Sequence, residues 1–257
     1  MINQLRADLF AQRHSTGFWA ALLFSCVSAT VFAFLLLELA AGDLAYNLTN
    51  VVMGVSDVMV INLLGALLIG VTFSRSFETK SVHNALLAHG RGVFVASKTI
   101  VAAMSVFVLA VPYGVASLLA RGAADGNDPN VSTPFAEIVS SQDSLGAWQS
   151  VGLALVVCLS FTAKVAVCMP LAIAVRRPII VALVGFIWSF VADFLLTEVN
   201  KWNIGESFAN FTPYGSDRQP LPSSSASELG VSAIIGLVFI ATMGFFAWLL
   251  FRRADVK

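Results

Sequence analysis

Few side chains in this 257-residue chain are equipped for chemistry, and they stand in two kinds of place. Asp57, Lys164 and Asp193 fall inside long apolar runs. Arg75, Glu78, Lys80, His83, His89 and Arg91 crowd into RSFETKSVHNALLAHGRG, residues 75–92, between two such runs. An ammonium near the middle of a membrane costs a few kcal/mol, so Lys164 needs water, a cavity or an acid. Asp57 and Asp193 are the acids towards which its long stem can snorkel. Such a trio can form a polar pathway or a conformational latch. It can equally be an ion pair that only holds a helical bundle together.

No catalytic constellation accompanies these residues. The chain has no GxxxxGK[ST] phosphate loop and no HExxH, CxxC or GxSxG. His14, His83 and His89 are not at metal-ligand spacing with any cysteine. Cys26, Cys158 and Cys168 lie inside apolar runs, where small buried thiols are the ordinary reading. The chain is therefore expected to move, sense or assemble something. No catalysis and no cofactor of its own are expected.

The elements that must position these groups follow from composition. A chain that is 58% hydrophobic and 12% charged, with 20 Phe and a mean hydropathy of +0.83, cannot keep a soluble surface wet. Crossing the hydrocarbon layer as helix takes about 20 apolar residues. Six runs of that order occur, at 18–41, 52–74, 94–119, 148–175, 178–197 and 230–251. Their hydrophobicity is uniform, without the alternation of a membrane β-barrel. The expectation is an all-α, six-span membrane protein in one transmembrane domain. The first run follows seventeen mostly polar residues and has no A-x-A-like site behind it, so it reads as a retained span.

Charge sets the orientation. Of the loop cations, Arg6, Arg13, Arg75, Lys80, Arg91, Lys98, Arg176, Arg177, Arg252, Arg253 and Lys257 fall on one side, against Arg121, Lys201 and Arg218 on the other. Eleven against three places both termini in the cytoplasm. The acids are skewed the opposite way, so the net charge of zero conceals a dipolar molecule. The external segments, 120–147 and 198–229, are rich in Pro, Gly, Ser and Asn and read as turns and short helices.

Two cytoplasmic segments are amphipathic. In residues 1–15, Ile2, Leu5, Leu9 and Phe10 oppose Asn3, Arg6, Asp8 and Arg13, the pattern of a helix lying in the membrane interface. A basic leader that only sets topology is the plainer alternative. Residues 76–88 give a second short helix, with Phe77, Val82, Ala85, Leu86 and Leu87 on one side. Glu78, Lys80, Ser81, His83 and Asn84 are on the other, and Gly90-Arg91-Gly92 forms a tight turn before the third span. It is either an element that a soluble partner grips or an ordinary connecting loop. Within the spans, Pro170 is expected to bend the fourth. Gly65 and Gly70 suit close helix packing in the second.

The stretch FETKSVHNALLAHGRGVFVASK, 77–98, resembles the cytoplasmic loop of type-2 ABC exporter permeases. Glu78, Leu86-Leu87, Arg91 and Ser97-Lys98 fit that family's pattern, with Lys80-Ser81 where a Gly-Thr pair is usual. The resemblance covers about twenty residues in motif and the whole chain in layout. In size it is similar to the short permeases of antimicrobial-peptide export and lantibiotic self-immunity in bacterial plasma membranes. It implies two permease chains forming a pore, above two separate ABC ATPase subunits that hold the ATP and Mg. Phe77, Glu78, Lys80, Val82, His83, Leu86, Leu87 and Arg91 would belong to the coupling helix seated on the ATPase. The interfacial helix, through Leu5, Arg6, Leu9, Phe10 and Arg13, would lie beside it. The implied cargo is an amphipathic peptide or drug-like molecule, and nucleic acid is not among the implied partners. The competing readings are an ATP-independent transporter or channel running on Asp57, Lys164 and Asp193, and a membrane subunit that senses a peptide without transporting it.

Overall fold

The computed structural model describes residues 2–41, 49–78, 81–121, 131–141, 146–199, 210–215 and 219–253. Helices dominate these residues, and no strand occurs among them. The order is α1 Ile2–Arg13, α2 Thr16–Ala41, α3 Thr49–Gly54, α4 Asp57–Glu78 and α5 Ser81–Ala120. It continues with α6 Pro134–Ser140, α7 Ala147–Val165, α8 Cys168–Val175, α9 Pro178–Val199 and α10 Ala226–Arg253. Five stretches are long and apolar enough to cross a membrane: Thr16–Ala41, Val51–Ser74, Gly90–Ala120, Ala147–Val175 and Ala226–Arg253. The fifth expected span, 178–197, contains only a shorter apolar stretch, Pro178–Ala192. The chain is a multi-pass, all-helical membrane protein.

Its surface agrees. Leu23, Phe24 and Phe34 on α2, Ile179, Leu183 and Phe194 on α9, and Ile234, Val238 and Phe245 on α10 are all more than half exposed. Apolar side chains in such numbers outside the core belong against lipid. The core lies between the central helices α4 and α5 and the helices around them. Phe32, Ile61, Ile69, Phe73, Leu109, Leu153 and Phe251 are fully buried there. α2 packs on α5, α9 on α4, and α7 and α10 on the other side of α5. Lipid gives no hydrophobic drive between helices, so close approach does the holding. At Gly185 a Cβ would overlap the Cys168 sulfur and stand 2.9 Å from Ala66. Gly70, expected to allow packing, faces the backbone of Pro178, whose oxygen would lie 3.0 Å from an added Cβ.

Several boundaries differ from the expectation for local reasons. The second span is interrupted at Val55–Ser56, where Ser56 Oγ accepts from Met59 N (3.4 Å) and starts α4 afresh. The fourth is broken at Ala166–Val167 into α7 and α8. Pro170 cannot donate to the carbonyl four residues earlier, that of Ala166, and its ring crowds it. The turn expected at Gly90–Gly92 is confined to Gly90 (φ 78°, ψ 162°), and the helix resumes at Arg91. That conformation is one only glycine occupies without strain. Cys158 and Cys168 are buried as expected, but Cys26 is exposed on the outer face of α2.

Candidate functional site

The basic end of the bundle is where α1, the end of α4, the start of α5, the α8–α9 turn and the end of α10 meet. Phe77, one residue before the end of α4, stands edge-on to Phe251 near the end of α10 (centroids 5.9 Å). Phe251 in turn stacks on Phe94 of α5 (5.5 Å). Both Phe94 and Phe251 are fully buried, so the ends of three helices share one aromatic contact. Aromatic pairs in these geometries add about 1 kcal/mol beyond their burial.

Cations close this cluster on two sides. The Arg176 guanidinium lies 5.2 Å from the Phe77 ring centre. It is placed there because Arg176 adopts a left-handed conformation (φ 57°) and ends α8. Lys98 Nζ lies 5.8 Å from the Phe94 ring centre and pairs with Asp8 Oδ1 of α1 at 2.9 Å. Asp8 Oδ2 accepts from Ser97 Oγ (2.6 Å) and from Gln4 Nε2 (3.2 Å). The pair is almost fully buried, with side-chain exposures of 12% for Lys98 and 9% for Asp8. An ion pair taken out of water holds only when further hydrogen bonds satisfy it, and Ser97 and Gln4 supply them. Arg91 Nη1 donates to the Arg252 carbonyl (2.6 Å), placing a cation on the free carbonyls at the end of α10.

The placement of α1 corrects the sequence reading. Its inward stripe is Gln4, Leu5, Asp8, Leu9 and Gln12, while Ile2, Arg6, Phe10 and Arg13 are exposed. Asp8 therefore does not belong to the outward polar face. The spacing 5, 8, 9, 12 is itself a helical stripe and was the signal available. Of the residues expected to couple to a partner, Phe77 and Arg91 are in the network just described. The side chains of Glu78, Val82, His83, Leu86 and Leu87 lie outside the described set, as does Lys80 altogether. Lys80 excepted, their backbone is helical: Glu78 ends α4, and Val82, His83, Leu86 and Leu87 lie in the part of α5 before Gly90. Ser76–Glu78, expected in the short helix, thus belong to α4 instead.

The opposite end treats its charges differently. Asp57, fully buried at the start of α4, accepts from Val58 N (2.9 Å) and, across the fold, from Phe135 N (3.0 Å) in the first turn of α6. Thr133 caps the same turn and accepts from Ala136 N (3.4 Å). A carboxylate on the free N–H groups of a helix start satisfies both. Phe135 then stacks between Phe161 and Tyr113, whose hydroxyl donates to the Val55 carbonyl (2.9 Å) at the break in the second span. The short helix expected in the first external segment is thus packed deep between α5 and α7.

Lys164 lies on the other side of α6, sharing a small cavity with Pro134, Ser160, Phe161, Gln219 and Pro220. Its ammonium lies 5.8 Å from the Tyr214 ring centre, and the Tyr214 hydroxyl donates to the Lys164 carbonyl (2.7 Å). That carbonyl belongs to the last turn of α7, just ahead of the helix break. Sequence reasoning paired Lys164 with acids and missed Tyr214. Asp193 lies in α9 with its side chain outside the described set. Among the described residues, no cluster of His, Cys, Asp or Glu could hold a metal ion. No protein-family model matches the chain, and no curated protein matches it.

Proposed function

We propose that this chain is the permease subunit of an ATP-driven exporter of the type-2 ABC kind, in a bacterial plasma membrane with both termini cytoplasmic. In this reading six spans cross the bilayer and two permease chains form the pore. Residues 77–88 seat on a separate ATPase that carries the nucleotide and Mg. The cargo is an amphipathic peptide or drug-like molecule, moved past mainly apolar walls.

The observation that supports it best is the junction at the basic end. A short helix is set off from the third span by Gly90. Its two flanks, Phe77 and Arg91, are joined to α10, and Arg176 over Phe77 adds the α8–α9 turn. A push on such a helix would be delivered to α4, α5 and α10 together. α1, held through Asp8 and Lys98, would move with α5. Glu78→Ala and Leu86→Asp, reconstituted with the ATPase, are expected to abolish its stimulation while leaving membrane insertion intact. Unchanged stimulation in both would remove the docking role.

The position of Lys164 beside the helix break favours a second reading, an ATP-independent transporter using Asp57, Lys164 and Asp193. Both Asp57 oxygens already accept backbone N–H groups, which suits a structural carboxylate better than a proton carrier. Transport that survives Lys164→Met would end this reading.

A further inference from the structure

A groove runs along the lipid-facing side of the molecule between α5 and α10. It has two chambers. The one nearer the middle of the helices, about 400 Å³, is walled by Ala103, Met104 and Phe107 of α5, Leu237 and Ala241 of α10, and Leu159 of α7. The other, about 460 Å³, runs to the basic end along Gly92, Ala96, Ala241, Phe245 and Trp248. Between them α5 and α10 touch: a Cβ at Gly244 would lie 2.8 Å from Thr99 Cγ2. The Thr99 hydroxyl at this contact is buried without a hydrogen-bond partner. Volumes of this size are those of ligand clefts. Small residues, Gly92, Ala96, Ala103 and Ala241, open the groove, and large exposed ones, Met104, Leu237 and Phe245, form its lips.

The groove ends at cations. Arg252 stacks on Trp248 (5.9 Å to the ring centre), and Arg91 donates to the Arg252 carbonyl. Arg91, Arg252 and Arg253 are all exposed. Each guanidinium has five N–H donors, and Arg91 Nη1 is the one engaged on that carbonyl. Gly92 leaves space over the Trp248 indole nitrogen, which would lie 3.6 Å from an added Cβ. An occupant must therefore be hydrocarbon along most of its length and anionic at the end level with the membrane surface. Basic pockets between membrane helices on the cytoplasmic side hold anionic lipid headgroups in this way.

We infer that the α5–α10 groove is a binding site for an anionic phospholipid of the inner leaflet. An acyl chain lies past Ala96 and Ala241, and the phosphate sits among Arg91, Arg252, Arg253 and the Trp248 N–H. The inference is independent of the transport reading. It needs that the helix ends at Arg91 and Arg252 lie at the cytoplasmic membrane surface, the orientation read from the loop cations.

The test uses the full chain with Trp248 as the sole tryptophan (Trp19, Trp148, Trp188 and Trp202 each→Phe). It is placed in phosphatidylcholine nanodiscs containing a minor fraction of either brominated phosphatidylglycerol or brominated phosphatidylcholine. Bromines on an acyl chain quench a tryptophan they touch. Trp248 is expected to be quenched several-fold more by the anionic lipid at equal fraction, whereas a Trp188-only chain is quenched equally by both. Each arginine beside an anionic headgroup shifts occupancy by roughly fivefold, so replacing Arg91, Arg252 and Arg253 together by Gln should erase the preference. Ala241→Phe, which fills the groove from an exposed position and leaves the arginines in place, should erase it too. Equal quenching of Trp248 by the two lipids would overturn the site. So would a preference that survives both variants, which would mark ordinary boundary lipid.

Discussion

The two ends of the bundle handle buried charge in opposite ways. At the Asp57 end the carboxylate is held by backbone: its oxygens take the N–H groups of Val58 and Phe135, and α6 is fixed by the same contact. At the Asp8 end the carboxylate is held by side chains: Lys98, Ser97 and Gln4, each on a rotatable stem. Backbone capping ties a charge to one geometry, because moving the donor means unwinding a helix. A side-chain pair can be carried along when α1 and α5 shift together, or exchanged for another partner. The rigid arrangement lies beside α6, which packs between α5 and α7. The exchangeable one lies beside the helix that Gly90 sets off, where a moving partner would push.

Substitutions can break this contrast one side at a time. The largest effect is expected from Asp8→Ala, which strands the Lys98 ammonium. Losing one partner of a buried pair costs roughly 3–5 kcal/mol. The melting transition in detergent should fall steeply, and Asp8→Leu with Lys98→Met should recover most of it. Failure of the double variant to recover would mean the pair does more than satisfy its own charges.

Asp57→Ala leaves the Phe135 N–H without its acceptor, at about 1–3 kcal/mol. Hydrogen exchange should speed up in residues 131–141 but not in α1, which keeps the two ends independent. Asp57→Asn, which retains an acceptor oxygen, should lose less. Equal losses in the two variants would show that the capping geometry is not the cause.

Gly90→Ala should cost about 1–3 kcal/mol if the break is kept, because φ 78° with ψ 162° is all but closed to other residues. Open space surrounds the site, so backbone strain and not collision decides the outcome. A distance measured by spin labels between positions 81 and 100 would show whether the chain instead straightens into one continuous helix. Arg91→Gln should have the smallest effect on stability, at most about 1 kcal/mol, since an exposed hydrogen bond to a helix-end carbonyl is worth little. A large destabilisation would make Arg91 a structural clamp for α10.

Five of the six expected spans were legible in the sequence as helices long and apolar enough to cross, because lipid forces each crossing segment to satisfy its own backbone. Pro170 was legible for the same local reason: the break appears at Ala166, whose carbonyl Pro170 cannot reach with an N–H and which accepts from Met169 N instead. Gly90 was legible as a stop, though not that Gly92 would return to helix. The partners of the charges were not legible. Asp8 reads as polar surface until Lys98, some ninety residues later, arrives beside it. Asp57 binds a backbone N–H, which carries no side-chain signature. Tyr214 reaches Lys164 from the segment between α9 and α10, whose composition says only that it turns. The Phe77–Phe251–Phe94 contact joins three helix ends that no local pattern relates.

On the proposed reading, residues 77–88 are the seat of a soluble ATPase. Purifying the tagged chain in nanodiscs from its native host and reading co-purifying proteins by mass spectrometry tests it most directly. The account predicts stoichiometric recovery of an ATPase bearing a phosphate-binding loop, lost when Glu78→Ala and Leu86→Asp are introduced together. A clean preparation without such a subunit would contradict it, and would leave Lys164 and its cavity as the centre of function.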